Sequence, residues 1–365
     1  MPDSAVHALS PTAFERLARE VPGLPAIVGR LAARARARIG ADDNATLERS
    51  DLDAAGPLFD WLEDWGRTAM RCGEEFLDVK SDAQTLSSAV WAFSNFELHH
   101  RKLFWVDESL AWMLSETRLD IEGRALRLPF PSFALVFSDP AAIALAQAVR
   151  DADGLDPSRS VRSITVHVTR LDGEGALGLG VSLCFFLDLS EGWPYLLSRD
   201  LDVREGDRLD AVLESHLPDV DPVTLDPVFL RPEMRALVHL VVNAILFITS
   251  ADEPWRVLAP PGGSSRGRLT GGNERKSRRA ARMRRQYSSE SVFHLPGRIP
   301  IARVRELRAA RAHGGGEMYA RFMVRGHWRR AAPDWADQRA RWIEPYWKGP
   351  ELSAVLEREY VLKDR

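Results

Sequence analysis

ALVHLVVNAILFIT, residues 236–249, is the most apolar run in the chain, and it is interrupted by His239 and Asn243. Its length decides what kind of fold surrounds it. A helix needs about 20 apolar residues to cross the hydrocarbon of a bilayer. This run is shorter and carries two polar side chains, so it reads as a buried helix rather than a membrane span. Pro232 sits near its start, where a proline suits the first turn of a helix. A helix that is apolar on nearly every face must be covered on most of them. The neighbouring segments therefore have to supply the covering layers.

Upstream, the pattern is that of strands. RSITVHVTRLD, residues 162–172, alternates, with Ile164, Val166 and Val168 on one face and Ser163, Thr165 and His167 on the other. His167 is expected there as a half-exposed sheet residue. GALGLGVSLCFFLDL, residues 175–189, is more apolar and hence more central in a sheet. Asp172-Gly173 with Glu174-Gly175 reads as the hairpin turn between the two. GALGLG is no dinucleotide fingerprint, because it lacks the spacing and does not open a helix. LRLPFPSFALVFSD, residues 126–139, is a further strand segment punctuated by prolines.

Before residue 126 the periodicity is helical. Ser10 and Pro11 open a short helix that Pro22 and Gly23 stop. AIVGRLAARARARIG, residues 26–40, is a second, basic amphipathic helix with arginines at 30, 34, 36 and 38. Leu58, Leu62, Trp65 and Ala69 recur at helical spacing. Residues 82–114 form one long helical pattern or two helices. The pair His99–His100 cannot chelate one ion, because adjacent helical residues point about 100° apart. Both read as surface or packing histidines.

The chain has 365 residues, a net charge of −3 and 45% hydrophobic residues, enough to bury a sizeable core. Cys72 and Cys184 are the only cysteines, which excludes a disulfide framework and a cysteine zinc site. No signal peptide is read at the start, and a cytoplasmic location is expected. No cofactor and no metal are expected either. Charge is unevenly spread. Residues 1–261 hold 25 Lys and Arg against 41 Asp and Glu, and residues 262–365 hold 24 against 11. An acidic body with a basic last third points to an electrostatic role in that third, or to one half docking on the other.

That third starts with a Gly/Ser-rich stretch and runs into RKSRRAARMRR, residues 275–285, which has no acid. Arg278, Arg279, Arg282 and Arg285 belong to this run, whose composition suits a flexible segment that binds polyanions or is simply solvated. A short strand and an arginine-faced helix follow. The chain then reaches MYARFMVRGHW, residues 318–328, and QRARWIEPY, residues 338–346. Read with period two, they form a hairpin. Trp328 and Trp342 lie on an aromatic underside, and Arg325, His327, Arg329, Arg339 and Arg341 lie on a cationic top. Like charges crowded on one sheet face call for an anion, an acidic partner or solvent. A basic ribbon flanked by aromatics can grip phosphates and stack bases. The alternative is a ribonuclease or toxin-like enzyme using His327, with Glu344 and Arg341 as the second acid/base group and the cation. No Walker, G-x-S-x-G or HExxH motif supports catalysis.

RGHW (Arg325–Trp328) followed by RARW (Arg339–Trp342) resembles blocks of the type V-A anti-CRISPR family that suppresses biosynthesis of the type V effector nuclease. Homologues of that family occur broadly in bacterial and mobile-element genomes. LRLPFPSFALVF, LLSRD (Leu196–Asp200) and the apolar helix leading into SADEP (Ser250–Pro254) agree in order over roughly residues 120–350. The resemblance implies a non-enzymatic protein that recognises a nascent polypeptide and causes loss of its message. Such a protein has partners of two kinds, the nascent chain and RNA or the ribosome, and no membrane. The arginine-rich linker and the tail WIEPYWKGPE depart from the family pattern. The oligomeric state is not legible.

Taken together, the expected fold is α+β. It has an N-terminal helical region (1–120), and a core (121–261) with a mostly antiparallel central sheet and the packed apolar helix. A flexible basic linker (262–290) and a C-terminal helix plus β-hairpin (291–365) complete it.

Overall fold

The computed structural model describes residues 24–40, 45–47, 79–152, 160–171, 178–190, 195–215, 219–220, 227–228, 232–250, 256–258, 291–295, 320–324, 326–332, 334–344, 346–348 and 354–356. In chain order these form α1 (Leu24–Ile39), α2 (Val79–Leu98), β1 (Lys102–Val106), α3 (Glu108–Ser115), a 3₁₀ turn (Gly123–Ala125), β2 (Ser132–Phe137), α4 (Pro140–Ala152), β3 (Val161–Leu171), β4 (Gly178–Leu189) and β5 (Tyr195–Arg204). Then come α5 (Leu209–Ser215), β6 (Asp219–Val220), β7 (Pro227–Val228), α6 (Pro232–Thr249), β8 (Arg256–Leu258), β9 (Ser291–Leu295), β10 (Ala320–Val324), β11 (His327–Arg329), β12 (Arg341–Ile343), β13 (Tyr346–Lys348) and β14 (Ala354–Leu356).

The central sheet has seven strands in the order β5-β4-β3-β2-β1-β9-β8. Antiparallel pairing runs from β2 through β5 and again at β8–β9, while β1 is parallel to both β2 and β9. The α+β, mostly antiparallel reading therefore holds. One expectation is corrected. Residues 102–106 were grouped with a helical pattern, yet they form a strand in the middle of the sheet. LFWV is continuously apolar, so its run satisfies either period. What separates helix from strand is the backbone at its N-terminal side, where His100 (φ 60) and Arg101 (φ 49) turn left-handed. The Arg101 N–H reaches back to the Phe96 carbonyl at 2.8 Å, a closure that ends α2 and releases the next residues into extended form.

Alternation along the strands sorts side chains into two cores. Val181, Leu183, Phe185 and Leu187 of β4, with Ile164, Val166 and Val168 of β3, join the larger core beneath α3, α4 and α6. Cys184 and Phe186 point the other way, into a second core with α1 and α2. The sheet is thus covered on both faces. α6 lies in the larger core, with Leu237, Val238, Leu240, Val241, Asn243, Ala244 and Ile245 all at most 1% exposed. It is the one described helix long and apolar enough to cross a membrane by length and composition, and those side chains are taken up by the core.

Two glycines of GALGLG have a structural explanation. A Cβ at Gly180 would come within 2.8 Å of the Leu171 Cβ, and one at Gly178 within 2.5 Å of the Val203 carbonyl oxygen. Both positions therefore exclude a side chain where neighbouring strands close in. α1 ends before Gly40 as read, with Leu24, Ile27, Val28, Leu31, Ala32 and Ala35 inside and Arg30, Arg34, Arg36 and Arg38 outward or at the edge. The helices expected after Ser10, around Leu58–Ala69 and after residue 300, the turn at 172–175 and the basic linker lie outside the described residues.

Candidate functional site

The hairpin resolves into two ladders rather than one. β10 pairs antiparallel with β13 and parallel with β14. Further along, β11 pairs antiparallel with β12, setting His327 opposite Ile343, Trp328 opposite Trp342 and Arg329 opposite Arg341. Directly opposed residues share a face, so the register produces the aromatic underside and cationic top that period two predicts.

The underside is a set of hydrogen-bonded anchors. Trp328 is 5% and Trp342 6% exposed. The Trp328 Nε1–H donates to Asn243 Oδ1 at 2.8 Å. Asn243 Nδ2 in turn donates to the carbonyl of Leu114 (3.2 Å), in the last turn of α3, and to that of Thr117 (3.1 Å), two residues past its end. The Trp342 Nε1–H donates to Thr117 Oγ1 at 3.1 Å, and Thr117 Oγ1 donates to the Met113 carbonyl at 2.8 Å. The Trp342 ring meets Phe247 edge-on, centroids 5.1 Å apart. The Arg118 N–H donates to the Gly326 carbonyl at 2.9 Å. The polar interruption of the apolar helix is therefore the socket that receives the first tryptophan.

On the top, the arginines divide by what they touch. Arg339 is held by Asp337 through Nε (3.1 Å) and Nη2 (3.0 Å). Arg330 pairs with Glu122 at 2.6 Å, and Glu122 also takes Arg124 at 2.7 Å. Arg329 and Arg341 are exposed, and among the described residues neither has an ion pair. Each lies instead against the ring of Trp335, which sits in the loop between the two strands. The Cζ-to-centroid distances are 5.1 Å for Arg329 and 4.5 Å for Arg341. An exposed cation–π contact contributes about 0.5–1 kcal/mol. Like charges set opposite each other on a ladder cost a comparable amount. The indole therefore offsets the repulsion that the register imposes, and the two charges stay unneutralised.

His327 is half-buried, on the ladder face it shares with Arg329 and Arg341. Glu344 follows the last residue of β12, three positions from Arg341 and so out of phase with that face. Arg325, Arg278, Arg279, Arg282 and Arg285 lie outside the described residues. Among the described residues no group of three His, Cys, Asp or Glu side chains is placed to hold a metal ion.

Trp335 is the residue that reading by period did not single out. It lies in the loop, where neither period applies. The signal was its position between two arginines that the ladder brings opposite each other. Asn243 had a signal that could be used: a polar residue in an apolar run is buried, and buried amides find partners.

His167 departs from expectation. It is 1% exposed, and its ring lies edge-on to Phe93 (4.9 Å), Phe96 (4.7 Å) and Phe186 (5.4 Å). Among the described residues neither ring nitrogen has a hydrogen-bond partner. Burial lowers its pKa from 6.5 to about 3. The reason is that β3 is an interior strand with α2 over this face, so alternation marks two buried faces rather than one wet and one dry. Burial likewise pushes the thiol of Cys184, its cross-strand neighbour, far up, with Asp200 adding to the rise.

A family model described as the anti-CRISPR type V subtype A2 family, AcrVA2-like, matches residues 104–349. The matched segment runs from within β1 to the residue after β13 and includes the whole β11–β12 ladder. Among solved structures, the crystal structure of AcrVA2 is similar at 12% sequence identity, covering 91% of this chain and 96% of that one with a TM-score of 0.49. No curated protein sequence matches the chain.

Proposed function

This chain belongs to the anti-CRISPR type V subtype A2 family, and from that premise we propose that it is a non-enzymatic binding protein that recognises a target polypeptide as it emerges and acts on its translation or message. The observation that carries the reading is the pair Arg329 and Arg341, exposed and without ion pairs among the described residues, on the ladder that bears the RGHW and RARW blocks. A cationic surface left uncompensated in an otherwise acidic chain suits contact with RNA or the ribosome. Of the strands β2–β5 only β5, at one end of the described sheet, offers an edge for an extended peptide, since an edge strand presents unpaired backbone groups, while β2, β3 and β4 are paired on both sides. The expected location is the cytoplasm, where nascent chains and messages meet.

The test is co-sedimentation with translating ribosomes and crosslinking in cells, followed by identification of bound nascent chains and RNA. Association that is lost in the Arg329→Glu/Arg341→Glu variant, with the thermal unfolding midpoint unchanged, is the expected result. Recovery of neither ribosomes, nascent chains nor RNA with the native chain would sink the reading.

A second reading is kept because His327 shares a ladder face with Arg329 and Arg341. It makes the protein a ribonuclease in which His327 is the acid/base group and Arg341 the cation, with Glu344 as the second acid/base group only if it reaches round from beyond β12 to that face. RNA incubated with the native chain and with His327→Ala separates the two. Metal-independent cleavage that disappears in the variant would establish the enzyme.

A further inference from the structure

We infer that Arg329, Arg341 and Trp335 form a clip that binds a phosphodiester of single-stranded RNA. The inference rests on the function proposed above and names the ligand of that same surface.

Selection among the arginines comes first. Arg339 has its donors on Asp337, and Arg330 is paired with Glu122. Those two guanidiniums are largely spoken for. Arg329 and Arg341 are not: both are exposed, and among the described residues the contact each makes is with the Trp335 ring. Stacking occupies the flat face of a guanidinium and leaves the N–H donors around its rim available. The indole therefore holds two cations in place without using the groups that recognise an oxyanion.

Spacing comes second. The β11–β12 register sets Arg329 directly opposite Arg341, which places their Cβ atoms about 5 Å apart. Their guanidiniums both lie against one ring, at 5.1 and 4.5 Å from its centroid, so the two flank a single indole rather than forming separate patches. A phosphodiester has two non-bridging oxygens splayed tetrahedrally, and two guanidiniums approaching from different directions can each take one. A carboxylate has both oxygens in one plane. It matches the fork of a single guanidinium edge-on better than two guanidiniums approaching from different directions, although each anion carries a single charge. This favours RNA over an acidic peptide.

The ring itself comes third. Trp335 is half-buried in the loop, not anchored in the core like Trp328 and Trp342. An aromatic beside a phosphate-gripping pair is the arrangement with which single-stranded nucleic acid is held, and the part of the ring that the guanidiniums leave open can take any base. The site therefore fits a flexible single strand without demanding a sequence.

The experiment is fluorescence anisotropy with a labelled oligouridylate across a series of salt concentrations. It compares the native chain with Arg329→Gln/Arg341→Gln, Arg329→Lys/Arg341→Lys and Trp335→Ala, each checked for an unchanged thermal midpoint. The glutamine pair is expected to weaken binding about tenfold and to lower the slope of log affinity against log salt by about 0.7, the value for one phosphate contact on a single strand. The lysine pair keeps most of that slope and still loses several-fold in affinity, because an ammonium neither stacks nor forks. Trp335→Ala also weakens binding, through loss of the ring that holds both cations. Affinity and slope unchanged in the glutamine pair would overturn the clip. Arginine-dependent binding of a polyglutamate peptide in preference to the oligouridylate would overturn it too, and make the surface an acidic-peptide site. A chain that co-sediments with ribosomes but binds oligouridylate independently of these arginines loses only this inference. A chain that binds RNA through the clip but recovers no ribosome or nascent chain in cells loses the proposed function and keeps the clip.

Discussion

His167 shows what one residue can carry in this fold. Its ring is enclosed by Phe93, Phe96 and Phe186, and burial holds its pKa at about 3. The unfolded chain takes up a proton near 6.5, whereas the folded chain resists doing so until about pH 3. Folded-state affinity for the proton is thus depressed, and the unfolded state binds more protons throughout that window. The contribution to stability is intact above pH 6.5 and falls by about 1.4 kcal/mol per pH unit below it. His167→Phe removes the group. Urea unfolding at pH 7.5 and pH 5 is therefore expected to show the native chain losing about 2 kcal/mol more than the variant. Equal losses in the two proteins would mean that His167 is hydrated or paired in solution. Sequence alternation placed His167 on the correct face of β3 and misjudged its exposure, because the helix covering that face comes from residues 79–98.

At the scale of elements, α6 and the β11–β12 ladder are joined by Asn243. Its amide satisfies the Leu114 and Thr117 carbonyls and accepts the Trp328 Nε1–H. Asn243→Leu keeps the volume and removes every one of these bonds. Each buried group left unpaired costs about 1–3 kcal/mol; the Thr117 carbonyl and the Trp328 Nε1–H lose their partner while the Leu114 carbonyl keeps the Thr117 N–H, so the variant is expected to lose at least about 2 kcal/mol in denaturant unfolding. A loss under about 1 kcal/mol would show that water or a local shift replaces the network. The individual elements here were legible. α6 reads from its apolar run, β3 and β4 from their alternation, and the ladder from period two across residues 318–346. β1 was not legible, since LFWV satisfies both periods and its strand state is set by the closure at His100 and Arg101 and by pairing with β2 and β9 on either side.

At the scale of the whole molecule, the hairpin and the sheet share one core. Trp328 and Trp342 belong to the same buried cluster as Phe185 of β4 and Val241 of α6. Shared burial makes the two parts cooperate. Unfolding followed by tryptophan fluorescence and by far-ultraviolet circular dichroism is expected to give coincident transitions. With eleven tryptophans spread over the chain, a fluorescence transition at clearly lower denaturant would show that part of the molecule unfolds before its secondary structure is lost.

The sequence by itself determined the α+β class, the buried character of residues 236–249, the alternation of the central strands, and the division of the hairpin into an aromatic and a cationic face. All of these follow from periodicity, which is local: a side chain's direction repeats every 2 or 3.6 residues wherever the chain lies. Tertiary structure alone decided which arginines keep their charge, and that choice is what makes a site. Arg330 is neutralised by Glu122, 208 residues away, and Trp328 is anchored by Asn243, 85 residues away. Arg329 and Arg341 are brought onto Trp335 by a ladder register. Charge compensation depends on distance in space, and no period in the chain encodes which distant partner arrives.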